Sequence, residues 1–309
     1  MLLDTVPFPA VDESETQAPL ITVRPIGREG FDWPPAPPGS IMPPVKITEK
    51  TRRSRRTELI DSIETTLLGR TALSFARQTK REDWHPDADE TYCWRCAGSV
   101  GMHETDGEGC AACRNTKLHW DQGIRVSEYT GPVRDALLDL KFHRWRTTGR
   151  ELGSALGSCI LERMKRAQVD PGETILVPIP TSNRRRIRRG VDHTRVLCEG
   201  AARAIGCPSI RILAANHRPE QIGLSMSARG RNMKGAFRVR ERGIGRIDDG
   251  CRVIILVDDV RTTGATMTAG CKGVRGALKN IKRGSETEIW VATAGVAAGK
   301  ARDRQILKN

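Results

Sequence analysis

Val253-Ile254-Ile255-Leu256-Val257 is an unbroken apolar run, the pattern of a strand buried on both faces as in a parallel sheet. The strand predicted there spans 252–257, and shorter runs predict further strands over 125–128, 174–177 and 288–292. Helical periodicity falls between them, over 132–142, 149–166, 192–205 and 265–278. This alternation predicts an α/β fold, a parallel sheet flanked by helices, over 125–300. Upstream, Leu59, Ile60, Ile63, Leu67 and Phe75 fall near one face of an amphipathic helix over 57–80, with Thr57 as its cap. Residues 1–56 carry clustered prolines (Pro34, Pro35, Pro37, Pro38, Pro43, Pro44) and read as a disordered tail. The tail ends in Arg52-Arg53-Ser54-Arg55-Arg56, which reads as a solvated linker or as a nucleic-acid or docking contact. There are no internal repeats.

The run that ends at Val257 leads into Asp258-Asp259-Val260-Arg261-Thr262-Thr263-Gly264-Ala265-Thr266. Two carboxylates therefore fall at the carboxyl end of a strand, where open α/β sheets bind ligands. Thr262, Thr263, Gly264, Ala265 and Thr266 offer hydroxyls, a flexible glycine and backbone N–H groups at a helix start, a cradle sized for one phosphate. The acids repel an anion, so they suit a neutral polyol beside it, such as two ribose hydroxyls, or a hydrated Mg²⁺. Competing phosphate motifs are absent: there is no G-x-x-x-x-G-K-[ST] loop, and Gly243-Ile244-Gly245 lacks a third glycine and a preceding strand.

A second constellation lies within residues 90–122. Cys93-x2-Cys96-x13-Cys110-x2-Cys113 forms two knuckles able to converge on one ion. The spacing predicts a small Cys₄ zinc ribbon with a closed, structural site; an iron–sulfur site and a redox dithiol are the alternatives. Cys159, Cys198, Cys207, Cys251 and Cys271 lack this spacing and read as small core residues.

Around the acidic loop, Pro178, Ile179, Pro180, Thr181 and Ser182 follow a second predicted strand. They form either a ligand loop or a plain turn. Arg184, Arg185, Arg186, Arg188 and Arg189 come next, a run fit to clamp pyrophosphate, to grip a nucleic-acid backbone, or merely to be solvated. A polar, glycine-spaced stretch with Gln221, Arg229 and Asn232 reads as a mobile lid or a surface excursion.

The net charge of +14 over 309 residues fits an anionic partner, or a solvated basic surface. The first residues lack a basic region followed by an apolar one, and no apolar run reaches membrane-spanning length. A cytoplasmic protein with reduced thiols is expected.

The acidic loop resembles the PRPP-binding motif of type I phosphoribosyltransferases. The whole order resembles the ComF family of competence-associated, phosphoribosyltransferase-like proteins: a cysteine ribbon; Tyr129-Thr130-Gly131-Pro132 with Leu140-Lys141-Phe142; Pro178-Ile179-Pro180 with Arg188-Arg189-Gly190; Gln221 with Leu224; Arg229-x-x-Asn232-x-x-Gly235-Ala236-Phe237; and Asp258-Asp259. The resemblance spans about residues 92–298 and leaves 1–80 outside. It implies a type I phosphoribosyltransferase-like sheet preceded by a zinc ribbon. It also implies ribose hydroxyls on Asp258 and Asp259, the 5′-phosphate in the 262–266 loop, and pyrophosphate near 178–182 with Arg188 and Arg189. Lys141 enters as a candidate by family position. The expected cofactors are structural Zn²⁺ and Mg²⁺ with PRPP, and the expected activity is ribose 5-phosphate transfer to an unidentified acceptor. Single-stranded DNA is a further expected partner. In the alternative, the protein is a nucleic-acid-binding accessory factor with a non-catalytic PRPP pocket, Trp94 and Trp120 stacking on bases. A homodimer is in keeping with relatives of this fold. Where the family commonly has Arg-Gly-Phe-Asn-Gln, this chain has Arg189-Gly190-Val191-Asp192-His193, with Asp192 placed to cap a helix. Thr262 stands where purine-salvage relatives carry an aspartate base.

Overall fold

A computed structural model describes residues 74–101, 103–143, 145–181, 190–216, 236–247, 249–280 and 287–297. In chain order the elements are α1 (Phe75–Arg81), the short strands β1 (Thr105–Asp106) and β2 (Gly109–Cys110), β3 (Gln122–Glu128), α2 (Gly131–Leu138) and α3 (Arg146–Arg166). There follow β4 (Thr174–Pro178), α4 (His193–Ile205), β5 (Leu213–Ala215), β6 (Phe237–Val239), α5 (Glu241–Ile244), β7 (Val253–Arg261), α6 (Ala265–Asn280) and β8 (Glu288–Val296). The predicted tail over 1–56 and Thr57 lie outside the described residues.

Four strands form one sheet in the order β3-β8-β7-β4, and every pairing is parallel. Val257 sits between Pro178 of β4 and Ala292 of β8. The alternation of β7 explains its apolar run. Val253, Ile255 and Val257 enter one core with α3 and α4, while Ile254 and Leu256 enter the other with α6. Both faces are covered, so neither alternate set is polar. On α6, Met267, Cys271, Val274 and Leu278 make the buried stripe at helical spacing. The expected parallel sheet flanked by helices is thus present, although β7 runs four residues beyond its predicted end and carries both aspartates within the strand. Their pairing with β8, Asp258 opposite Thr293 and Arg261 opposite Val296, extends the ladder past the apolar stretch.

Of the amphipathic helix predicted over 57–80, residues 57–73, with Leu59, Ile60, Ile63 and Leu67, lie outside the described residues. Ser74 is extended (φ −62°, ψ 155°), and its hydroxyl caps α1 by accepting the Arg77 N–H at 3.3 Å. Phe75 of that helix is buried against α3 and meets Trp84 edge-on at 5.6 Å. The helix predicted over 132–142 ends at Leu138, and residues Asp139–His143 form a single wider π turn. Cys198, Cys207, Cys251 and Cys271 are buried as expected, and Cys159 is half-buried.

Helices α3 and α4 cross at backbone contact distance. A Cβ on Gly153 would lie 2.3 Å from the Leu197 carbonyl oxygen and 3.0 Å from the Gly200 Cα. Only the absence of a side chain allows this approach, and the crossing brings the start of α4 to the end of the sheet. Gly153→Ala is expected to cost about 3 kcal/mol through overpacking, read as a lower urea midpoint with unchanged slope. A loss under about 1 kcal/mol would mean that the crossing yields without strain.

Candidate ligand site at the carboxyl edge of the sheet

Asp258 closes the buried part of β7 and is only 9 % exposed. Its Oδ1 accepts the backbone N–H of Asp259 at 2.9 Å. Asp259 faces two cationic or polar partners from outside the sheet. Lys141 Nζ is ion-paired to its Oδ2, and His193 Nε2 lies 3.4 Å from the same oxygen. Lys141 is delivered by the π turn after α2. His193 is the first residue of α4, set by Asp192, whose side chain accepts the Arg195 N–H at 3.3 Å. Asp192 is therefore the helix cap that its position predicts. His193 is buried, and its Nδ1 has no partner among the described residues.

These surroundings split the two acids. Burial pushes the Asp258 carboxyl well above the usual carboxylate range, and the neighbouring Asp259 charge pushes the same way. Burial also acts to raise Asp259, but the His193 contact and the Lys141 charge outweigh it and hold that carboxyl below its ordinary value. The two acids therefore differ in their hold on a proton, Asp258 the tighter and Asp259 the weaker. That suits vicinal hydroxyls, which themselves both donate and accept.

The loop after the acids turns back into α6. Gly264 has φ +74°, a left-handed conformation, and a Cβ there would also meet the Trp120 ring at 3.2 Å. Thr262 and Thr263 are exposed, and Ala265 and Thr266 are half-buried at the helix start. Thr263 Oγ1 accepts the Ala265 N–H at 3.4 Å. Beside this loop, the Ile179 N–H donates to the Val257 carbonyl at 2.8 Å, which fixes Pro178, Ile179, Pro180 and Thr181 next to the acids. Ser182, Arg188, Arg189, Gln221, Arg229 and Asn232 lie outside the described residues, as do Arg184, Arg185 and Arg186.

Sequence reasoning missed three arginines here. Arg211, Arg238 and Arg240 line a cavity of about 70 Å³ with Pro180, Thr181 and Asp192. Arg238 and Arg240 alternate with Phe237 and Val239, a two-residue period that marks a short strand. His193 was also missed as a site residue, because its contact with Asp259 spans 66 residues of sequence.

The four cysteines of the second constellation come together. Cys93–Cys113, Cys96–Cys110 and Cys110–Cys113 each have sulfurs 3.7 Å apart, and all four are buried. An ion ~2.3 Å from each of four sulfurs, arranged tetrahedrally, sets them about 3.8 Å apart, whereas a disulfide needs about 2.05 Å. The group is therefore shaped to hold a metal ion such as zinc. Arg95 ties the knuckles, donating from Nη1 to the Cys113 carbonyl at 2.6 Å and from Nη2 to the Thr116 carbonyl at 3.2 Å. Arg125, 2 % exposed on β3, donates to Ser99 Oγ at 2.7 Å and pairs with Asp87 at 2.6 Å. Trp120 is 5 % exposed and donates from Nε1 to the Arg95 carbonyl, while Trp94 Nε1 donates to the Asp106 carbonyl, both at 2.9 Å. Trp120 is thus part of the core rather than a free face for stacking a base. No helix of the described residues is long and apolar enough to cross a membrane.

Fold and site define an α/β protein with an acidic pair at the sheet's carboxyl edge and a tetracysteine unit beside it. No family model matches the chain. It is 31 % identical over 163 residues to "DNA utilization protein YhgH" of Salmonella typhi, covering 51 % of this chain and 67 % of that one. The protein of the same name from Escherichia coli K12 is 30 % identical over 185 residues, 58 % of this chain and 75 % of that one. "Competence protein F" of Haemophilus influenzae is 26 % identical over 202 residues, 64 % and 82 %. The chain belongs to the ComF family. A solved structure of the allosteric regulatory enzyme of purine biosynthesis matches at TM-score 0.26 and 17 % identity, over 48 % of this chain and 25 % of that one; a likeness this low carries no argument.

The split between the acids predicts opposite effects of their neutralisation. Asp259, held below its unfolded value near 3.8, stabilises the fold above that pH, and the benefit fades as the pH falls. Asp258, held above it, is most favourable below the unfolded value and costs stability as the pH rises. At pH 7, Asp259→Asn should cost about 3–5 kcal/mol by stranding Lys141 and His193. Asp258→Asn should raise the melting temperature. Scanning calorimetry of both variants checks this; equal shifts in one direction would contradict the assigned asymmetry.

Proposed function

We propose that this protein is a phosphoribosyltransferase-like PRPP-binding protein that acts in DNA uptake or utilisation. The observation that carries the first part is the continuity of a buried and a half-buried acid, left-handed glycine and helix start at the end of one central strand. The names of its relatives support the second part, as does the charge of +14.

In this reading Asp258 and Asp259 hold the ribose 2′- and 3′-hydroxyls, and Asp259 exchanges its contacts with Lys141 and His193 for the sugar. Thr262, Thr263, Gly264, Ala265 and Thr266 receive the 5′-phosphate through hydroxyls and backbone N–H groups. Pro178, Ile179, Pro180, Thr181 and Ser182 face the pyrophosphate, with Arg188 and Arg189 as clamps. Gln221, Arg229 and Asn232 serve as the lid. Mg²⁺ bound with PRPP would neutralise pyrophosphate charge. Transfer breaks the bond between the anomeric carbon and pyrophosphate, the electron pair leaving with pyrophosphate, and the acceptor then bonds to that carbon. The protein's part is chiefly electrostatic stabilisation of the leaving group. With Thr262 in the loop, an amine acceptor would need least help in losing its proton. The cysteine unit holds Zn²⁺ as a structural ion.

Calorimetric titration of the full chain with PRPP and MgCl₂ tests this. Saturable binding is expected, weakened about tenfold or more in Asp259→Asn. The DNA role predicts salt-steep binding of single-stranded DNA, lost on charge reversal of Arg184–Arg189. Absence of PRPP binding by the wild-type chain would overturn the ligand assignment.

A further inference from the structure

Arg261 stands between the acidic pair and the loop that receives phosphate in the reading above. Its backbone belongs to β7 and accepts the Ala297 N–H at 2.9 Å. Its side chain reaches the tetracysteine unit. A Cβ on Gly98 would lie 3.7 Å from Arg261 Nη2, and Gly98 donates its own N–H to Cys96 Sγ at 3.4 Å. Burial disfavours the charge on this guanidinium; Cys96, Cys93 and Cys110 favour it, and Arg125 opposes it. Its Nε is fully buried and has no hydrogen-bond partner among the described residues.

Arg261 is half-buried, and a guanidinium whose Nε is buried with its donor unmet is costly unless a negative group lies nearby. Four cysteine thiolates around one divalent cation carry a net charge of about −2, a partner of the needed sign at the needed place. The sulfur spacing already fits such an ion. The same unit also touches the loop by a second route: Arg95, which ties the knuckles, accepts the Trp120 N–H on its carbonyl, and the Trp120 ring backs Gly264.

We propose that Arg261 is a positioning residue that couples the metal-loaded cysteine unit to the phosphate loop, so that metal and phosphorylated ligand each strengthen retention of the other. The metal–thiolate charge anchors the guanidinium and thereby the chain at Thr262. Loss of the ion frees Arg261 and loosens the collar. Because coupling of binding free energies is reciprocal, a ligand in the collar must tighten metal binding by the same factor that metal improves ligand affinity. The inference rests on the PRPP reading for its ligand half only.

The test uses the zinc-loaded full chain and follows zinc release to a chromogenic chelator, with and without PRPP and MgCl₂. Arg261→Met should weaken zinc retention about 10–100-fold, as loss of outer-shell partners does. Arg261→Lys should lose less, and it carries the test if the Met variant fails to fold. PRPP should slow zinc release from the wild-type chain and leave release from Arg261→Met unchanged; calorimetry should show weaker PRPP binding after zinc is stripped. If zinc retention is the same in the wild-type chain and both variants, the proposal is overturned. It is equally overturned if stripped and loaded wild-type chains bind PRPP alike. If the wild-type chain binds no PRPP, the ligand reading has failed, and unchanged or weakened zinc retention in the Arg261 variants still decides the contact between guanidinium and thiolates.

Discussion

Two adjacent carboxylates at the end of a strand buried on both faces cannot share full charge without counter-charge. The site is organised around that constraint. Asp259 is given Lys141 from the π turn and His193 from the start of α4, while Asp258 receives a backbone N–H and little else. Placing these partners requires α2, α3 and α4 to lie close on the sheet. The close crossing of α3 and α4 at Gly153 and Gly200 is part of how His193 reaches the acids. The cost of burying charge is met by long-range packing rather than by neighbours along β7.

The tetracysteine unit lies against this sheet through specific contacts. Arg125 on β3 binds Ser99 and Asp87, and the Gly123 N–H donates to the Trp94 carbonyl at 2.8 Å. Trp120 and Arg261 carry the contact on to the loop around Gly264. A segment with few apolar residues of its own is thus tied to a well-packed body, and it in turn backs the loop that follows the acids. A bound ion adds stability to that segment.

The parts legible in the sequence are those fixed by local periodicity or local spacing. The apolar run of β7 announced a strand covered on both faces, and the two C-x2-C pairs announced a convergent thiol cluster. Asp192 announced a helix cap. Contacts made across the fold were not legible from spacing: His193 with Asp259, Arg261 near Gly98, and Arg211 beside Pro180 and Thr181. Lys141 was singled out only through family resemblance, since nothing local to a wider helical turn signals its partner. The helix start at Ser74 carried a readable signal, a serine hydroxyl before Phe75, but the apolar stripe upstream masked it. Trp120 near a basic, cysteine-bearing unit suggested base stacking; its burial against Gly264 follows from tertiary packing that composition does not report.

The most direct measurement is a crystal structure of the full chain with ribose 5-phosphate. The phosphate oxygens are expected within hydrogen-bond distance of the N–H groups of residues 263–266, and the sugar hydroxyls on Asp258 and Asp259 with Lys141 displaced. A phosphate held instead by Arg211, Arg238 and Arg240, with Lys141 still paired to Asp259, would contradict that arrangement.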